Sequence, residues 1–341
     1  MKQLMVSNDK NKTRIDWIDI AKAYGIIAVV LGHILPGNLF SQFLYWWHIP
    51  IFFIIAGIFL KPLECPNSWI NFYKKRVKGE FLLYMCMGVL LVYLYTVIHH
   101  KNSTFLMDHW FDLILGGRTL NFYTSTFWFI NVYLLTIISV TGLISVTHNR
   151  WVHLLVLVGG LFLETSYKQI TWMHINGFAM MPWNLDTVLI TAFYTYLGYY
   201  LFQTNQKWIE KKWVALLIIV LASIILGLKI TGWFNFQLSL KSHLIQSSLP
   251  TGVAVAIIPV IFALAIMACA WLTTKTAIRC PLSFVGQHTL AIMYGHKICL
   301  DVCQLGGIEN VVIRLIIGIT IPAMLGVIIQ WVRKKYDAKT S

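Results

Sequence analysis

The first apolar run of the chain lies in RIDWIDIAKAYGIIAVVLGHIL, residues 14–35. The apolar part is about 20 residues long, which is the length that a helix needs to cross the hydrocarbon core of a membrane. Charged residues interrupt the run, and no small-residue cleavage pattern of a secretory signal follows it. This stretch therefore predicts a retained first membrane-spanning helix over residues 17–35.

The composition of the whole chain supports the same interpretation. Of the 341 residues, 58% are hydrophobic and only 12% are charged, and the mean hydropathy is +0.69. Soluble domains carry about 25% charged residues, so this chain could not cover a soluble globule with polar groups. The high apolar and aromatic content also excludes an intrinsically disordered chain.

Further apolar runs follow the first one at regular intervals. A window of about 19 residues predicts ten helices, at 17–35, 41–60, 80–98, 127–147, 151–165, 186–203, 212–230, 252–273, 281–303 and 308–331. The runs are continuous, whereas the strands of a β-barrel alternate between apolar and polar residues. We therefore expect an all-α integral membrane bundle of about ten transmembrane helices, with a cytoplasmic segment at 1–16, a membrane domain at 17–331 and a cytoplasmic tail at 332–341.

The distribution of positive charge orients these helices. The formal net charge is +14, which in a soluble protein would indicate a nucleic-acid partner. With ten spans and the N-terminus inside, 19 of the 27 lysines and arginines fall in the inner segments and five in the outer ones or at their border. Cytoplasmic segments of membrane proteins are enriched in these residues. The pattern predicts a multi-pass protein of the cell membrane, in contact with lipids and not nucleic acid, with both termini cytoplasmic.

Ionisable residues inside a membrane segment are costly, and they often mark functional sites. In the first helix, Asp19 and Lys22 are one turn apart, and His33 lies on the face of Lys22, about 16 Å further along the axis. This stripe predicts an Asp19–Lys22 ion pair near the inner side and an imidazole near the outer side. The alternative is a structural ion pair and an unrelated histidine.

Two more histidines are expected at a similar height in the outer half of the membrane. They are His48 in the second predicted helix and His296 in the ninth. A neutral imidazole can accept and return a proton near neutral pH, so the group suggests acid–base chemistry. Histidines satisfied in the core are the alternative, and no helical spacing here supports a metal site. Lys297 and Asp301, one turn apart, predict an ion pair at the outer mouth.

Basic residues gather at the inner end of the third predicted helix, in NFYKKRVK, residues 71–78. Together with Arg14 and Lys22, the residues Lys75 and Arg76 could bind the phosphates of a cytosolic ligand, since guanidinium and ammonium groups suit phosphate oxygens. An ordinary basic loop that touches anionic lipid headgroups is the alternative.

Four stretches of the sequence, taken together, resemble motifs of the membrane-bound acyltransferase-3 family. The run from Arg14 to Lys22, followed by ten residues and His33, resembles its first-helix motif. HIPIFFIIAG, residues 48–57, resembles the second-helix pattern of the branch close to fucose 4-O-acetylases, although Ala56 replaces the usual serine. FWF, residues 127–129, resembles the fourth-helix motif. FVGQHTLAIMYGH, residues 284–296, resembles the ninth-helix pattern, with Thr289 in the usual serine position.

The resemblance implies a ten-helix bundle that transfers an acyl group, most often acetyl, from cytosolic acyl-CoA to a carbohydrate hydroxyl of a surface glycan or a lipid-linked sugar. No metal is implied, and a homodimer is compatible with the sequence. On this basis the expected catalytic residues are His33, Asp19, Lys22 and His296, with His33 either as the general base or as a transient carrier of the acyl group. The expected acyl-CoA ligands are Arg14, Lys22, Lys75 and Arg76, and the expected acceptor-binding residues are His48, Trp128 and Tyr294.

A proton-coupled transporter or exporter of a glycan or small molecule is the alternative, because intramembrane Asp, Lys and His residues also suit a carrier. Many transporters are built from two matching halves with broken helices near the membrane centre. No such halves are visible in this sequence, which favours the enzyme.

Overall fold

The computed structural model describes residues 15–166, 181–203 and 207–340. In this part of the chain the backbone forms fourteen α-helices and one two-stranded sheet. The helices are α1 (Asp16–Ile34), α2 (Leu39–Tyr45), α3 (Pro50–Ile58), α4 (Pro66–Phe72), α5 (Lys78–Ile98), α6 (Ser103–Leu115), α7 (Trp128–Val146), α8 (Arg150–Ser166), α9 (Thr187–Gln203), α10 (Lys212–Ile230), α11 (Thr251–Thr273), α12 (Arg279–Gln287), α13 (Thr289–Leu305) and α14 (Val311–Thr340).

Within the described ranges, seven helical segments are long and apolar enough to cross a membrane. They are Asp16–Ile34, Leu39–Ile58, Pro66–Ile98, Phe122–Val146, Lys212–Ile230, Thr251–Thr273 and Val311–Val332. The expectation of an α-helical membrane protein is thereby confirmed. The three other predicted spans coincide with α8, with α9 and with the pair α12–α13, which are shorter helices. The total of about ten spans and the side on which the termini lie stay predictions.

Two predicted spans are broken helices. The second consists of α2 and α3, and Pro50 is the first residue of α3, where its missing N–H leaves no helical hydrogen bond unmade. The ninth is interrupted at His288, between α12 and α13. The first break contains His48, and the second lies about two helical turns before His296.

Glycines allow the closest helix contacts. A Cβ atom at Gly57 in α3 would overlap the carbonyl oxygen of Thr195 in α9, and one at Gly198 in α9 would overlap the carbonyl oxygen of Ile54 in α3. In the same way, a Cβ atom at Gly286 in α12 would overlap the carbonyl oxygen of Asp19 in α1. Small residues at these crossings let the backbones touch, which is a common basis of helix association in membranes.

A β-hairpin joins α10 to α11. Its strands are β1 (Phe236–Ser239) and β2 (Leu244–Ser247), paired antiparallel with Phe236 opposite Ser247 and Ser239 opposite Leu244. Alternate side chains of β1 are buried, as expected for a strand with one face on a core. The Phe236 ring lies 5.4 Å from the ring of Trp46, so the hairpin packs against the segment between α2 and α3.

Candidate active site

A cavity of about 440 Å³ lies between α1, the α2–α3 segment, α5, α7, α13 and the tip of the hairpin. Helix α1 contributes Lys22, Ile26, Val29 and His33, which follow the helical repeat along one face. The eleven positions from Lys22 to His33 correspond to a rise of about 16 Å along the axis. A single cavity therefore contacts both ends of the stripe that the sequence predicts.

The ion pair in the stripe is present. Asp19 Oδ1 lies 2.6 Å from Lys22 Nζ, one turn further along α1. The Asp19 side chain is 5% exposed, whereas the Lys22 side chain is 26% exposed, because it borders the cavity. The carboxylate thus compensates the charge of a lysine that a ligand in the cavity can still contact.

Two of the predicted histidines lie against each other. The ring centroids of His33 and His296 are 5.3 Å apart, with 33° between the ring planes. His33 lines the cavity, whereas His296 is completely buried and does not line it. His48 lines the same cavity as His33, so all three histidines lie at or next to one end of it.

The hydrogen bonds of the buried imidazoles define their neutral tautomer. His296 Nδ1 donates to the Ile292 carbonyl over 2.7 Å, and His48 Nδ1 donates to the Leu44 carbonyl over 2.6 Å. A carbonyl oxygen only accepts, so each Nδ1 carries the hydrogen and each Nε2 presents a lone pair. Within the described residues, His296 Nε2 has no hydrogen-bond partner. It is therefore able to accept a proton from a group next to His33.

The other end of the cavity contains a cation and a carboxylate. Arg76 lies in a π-helical turn, Tyr73–Val77, directly before α5, and Glu80 follows one turn later. Both line the cavity, and π-helical turns are frequent at functional sites. Lys75, in the same turn, is exposed and does not border the cavity. Arg14 lies outside the described residues.

The expected acceptor residues are divided between the cavity wall and the layer behind it. Trp128 lines the cavity together with Phe129 and Thr126. Tyr294 is buried and does not line it, and its ring packs edge-on against Phe127 at 4.6 Å.

The expected ion pair between Lys297 and Asp301 does not form. Asp301 Oδ2 instead accepts hydrogen bonds from His99 Nε2 at 2.8 Å and from the Tyr123 hydroxyl at 2.5 Å. Helical spacing predicted the pairing within α13, but residues from two other segments reach the carboxylate in the folded chain.

The hairpin contributes a residue that the sequence analysis missed. Lys241, in the loop between β1 and β2, lines the cavity together with Ser239 and Ser242. Its ammonium group donates to the Leu120 carbonyl at 2.7 Å. Burial, and then the charge of Lys297, lower the pKa of Lys241 to about 8. No motif or spacing distinguishes this lysine in the sequence, because only the fold of the hairpin brings it to the histidines.

A second group of charged side chains holds the hairpin. His243 Nδ1 lies 2.9 Å from Glu164 Oε1 and 3.6 Å from Asp186 Oδ2, and Arg118 Nη2 donates to Asp186 Oδ2 at 2.8 Å. Glu164, Asp186 and His243 offer a set of atoms that could hold a metal ion. The Arg118 guanidinium already pairs with Asp186, and His243 lies next to both carboxylates.

Comparison with known proteins gives a match to a family model that covers most of the chain. The family model Acyl_transf_3, described as an acyltransferase domain, matches residues 15–329. This range contains every residue that lines the cavity. No curated protein and no solved structure matches the chain.

Proposed function

Because this chain belongs to the acyltransferase-3 family, which makes it a membrane acyltransferase, we propose that it transfers an acetyl group from cytosolic acetyl-CoA to a carbohydrate hydroxyl. The acceptor is a surface glycan or a lipid-linked sugar on the outer side of the cell membrane. This is an O-acetyl transfer with acetyl-CoA as donor substrate and no metal.

The main support for the proposal is the set of residues that border the cavity. The cavity that borders Lys22 and Arg76 also borders His33 and His48. Two substrates that arrive from opposite sides of the membrane need such a shared space in order to react. The phosphates of coenzyme A would lie near Arg76 and Lys22, with Lys75 and Arg14 as outer ligands. The pantetheine arm would then extend along the face of α1 towards His33.

His33 is the residue best placed to act as the base. In the proposed step, His33 takes the proton of the acceptor hydroxyl while the hydroxyl oxygen attacks the thioester carbon. A C–O bond forms, the C–S bond breaks, and the protonated imidazole returns the proton to the departing thiolate. His296, in ring contact with His33, would orient the imidazole. Asp19 would keep Lys22 in place through their ion pair.

The acceptor would enter from the side of the hairpin. His48 and Trp128 border the cavity, and an indole ring offers a flat apolar face to a sugar. Tyr294 lies behind this wall and would support it without touching the sugar.

Turnover in a reconstituted system tests the proposal. The purified protein in lipid nanodiscs, where both faces are accessible, receives acetyl-CoA and glycan fractions from the cell surface. Saturable release of CoA that depends on the acceptor, with acetyl esters found on the glycan by mass spectrometry, is the expected result. In sealed proteoliposomes, flux of a glycan with no consumption of acetyl-CoA would contradict the proposal and favour the transporter.

A further inference from the structure

We propose that Lys241 forms a cationic subsite at the end of the cavity near the histidines for a carboxylate or phosphate group of the acceptor, which is therefore an acidic saccharide. This inference rests on the proposed function and names the class of its acceptor.

The first argument is the missing counter-charge. No carboxylate among the described residues lies within 4.0 Å of the Lys241 ammonium group, whereas Lys22 and Arg118 each have one. The Lys241 ammonium has three N–H donors, and the described residues supply one acceptor for it, the Leu120 carbonyl. A partly buried cation without a counter-charge is costly. An anionic group of the substrate would remove that cost and satisfy the remaining donors.

The second argument is the way in which the hairpin tip is held. Arg118 Nε donates to the Lys241 carbonyl at 2.8 Å, and Asn184 Nδ2 donates to the same oxygen at 3.3 Å. The hydroxyl of Thr187 donates to the Leu240 carbonyl at 3.3 Å. Three side chains from two other segments thus fix the backbone that presents Lys241. Such pre-organisation is typical of binding groups, because it lowers the entropy that binding loses.

The third argument is the position relative to the reacting groups. Lys241 borders the same cavity as His33 and His48. The phosphates of the donor are expected about three helical turns away, beside Lys22 and Arg76. A cation at the end of the cavity that holds His33 and His48 is therefore better placed for an anion on the acceptor than for coenzyme A.

Equilibrium binding without acetyl-CoA tests the subsite separately from catalysis. The purified protein in nanodiscs is titrated by calorimetry with two matched sugar pairs, methyl glucoside against methyl glucuronide and methyl galactoside against methyl galacturonide. Each pair differs only by a carboxylate. Hydrogen bonds to charged groups are worth roughly tenfold or more in affinity. We therefore expect the acidic member of each pair to bind about tenfold more tightly.

The variants separate charge from structure. Lys241→Gln keeps a donor but loses the charge, so the ratio of the two dissociation constants should fall to near one, while Lys241→Arg should keep most of it. Lys229→Met is the matched control, since Lys229 lies at the end of α10, bonded to Asn235, and the ratio should stay at the wild-type value. Melting temperatures identify any variant that fails to fold.

Each outcome decides a different point. Equal binding of acidic and neutral sugars by the wild-type protein would overturn the subsite, as would a preference that survives in Lys241→Gln. Weaker binding of coenzyme A and not of the acidic sugars in Lys241→Gln would assign the anion to the donor and also overturn it. A clear acidic preference without any acetyl transfer would leave the subsite standing and contradict the proposed function.

Discussion

His33 and His296 lie in ring contact, with centroids 5.3 Å apart, although one is in the first helix and the other is in the thirteenth. Only His33 borders the cavity, whereas His296 is fully buried and does not line it. The two imidazoles therefore have different roles in the proposed reaction. His33 meets the substrates, and His296 positions His33, with Nδ1 donating to Ile292 and Nε2 left to accept a proton.

Removing the His33 imidazole should abolish most turnover. A positioned general base contributes about 10²- to 10⁴-fold to a rate, so His33→Ala should lower kcat for acetyl transfer by at least about 100-fold. Because the side chain faces a cavity, the melting temperature should change little. CoA release by the purified variant is the measurement. His148→Ala, at an exposed histidine in the loop between α7 and α8, is the control, and near-normal transfer by His33→Ala would refute the assignment.

His296→Asn separates positioning from structure. The asparagine amide can still donate to the Ile292 carbonyl, as Nδ1 does now, but it lacks the Nε2 lone pair. We expect kcat to fall by about tenfold or more while the KM for acetyl-CoA and the melting temperature remain near the wild-type values. A shifted pH–kcat profile would support the coupling to His33. A variant that melts early and keeps its kcat would show that His296 is structural only.

Asp19→Asn should destabilise the protein by leaving Lys22 without its counter-ion. Hydrogen bonds between charged groups contribute about 1.5–3 kcal/mol, so the melting temperature should drop measurably and activity should fall with it. The double variant Asp19→Asn with Lys22→Met carries no unpaired cation at this position. The double variant should have a higher melting temperature than Asp19→Asn alone. If the losses of melting temperature caused by the two single substitutions simply add in the double variant, that result would argue against the ion pair.

The group of charged side chains around His243, which holds the hairpin, should make the stability of the protein depend on pH. Burial tends to lower the pKa of His243, but its hydrogen bonds to Asp186 and Glu164 outweigh this effect and raise the pKa above the ordinary 6.5. A raised folded-state pKa gives stability that is complete below pH 6.5 and is lost as the pH rises through the raised value. The melting temperature difference between wild type and His243→Asn should therefore shrink from pH 6.5 upward. A constant difference would mean that His243 does not carry this charge.

Gly198→Ala should disrupt the α3–α9 contact. The added Cβ would overlap the backbone carbonyl of Ile54, which cannot rotate away. Overpacking typically costs about 1–3 kcal/mol, and a backbone clash should lie at the upper end. Gly227→Ala in α10 is the matched control, since its Cβ would meet open space and alanine favours helix. Equal melting temperatures of the two variants would contradict the close packing of α3 on α9.

Features that depend only on neighbouring residues follow from the amino-acid sequence. Continuous apolar runs predict membrane helices because each span must satisfy its own backbone hydrogen bonds. The helical repeat places Lys22 and His33 on one face and Asp19 within reach of Lys22. Both statements need only the residues of a single helix, so local spacing is sufficient to make them.

Contacts across the bundle depend instead on the tertiary structure. Helical spacing suggested that Lys297 pairs with Asp301, but His99 and Tyr123 bind that carboxylate. Lys241 comes to the cavity because Arg118, a residue far away in the chain, fixes the hairpin that carries it. Such contacts arise from the packing of whole elements against one another, and no local period in the sequence records that packing.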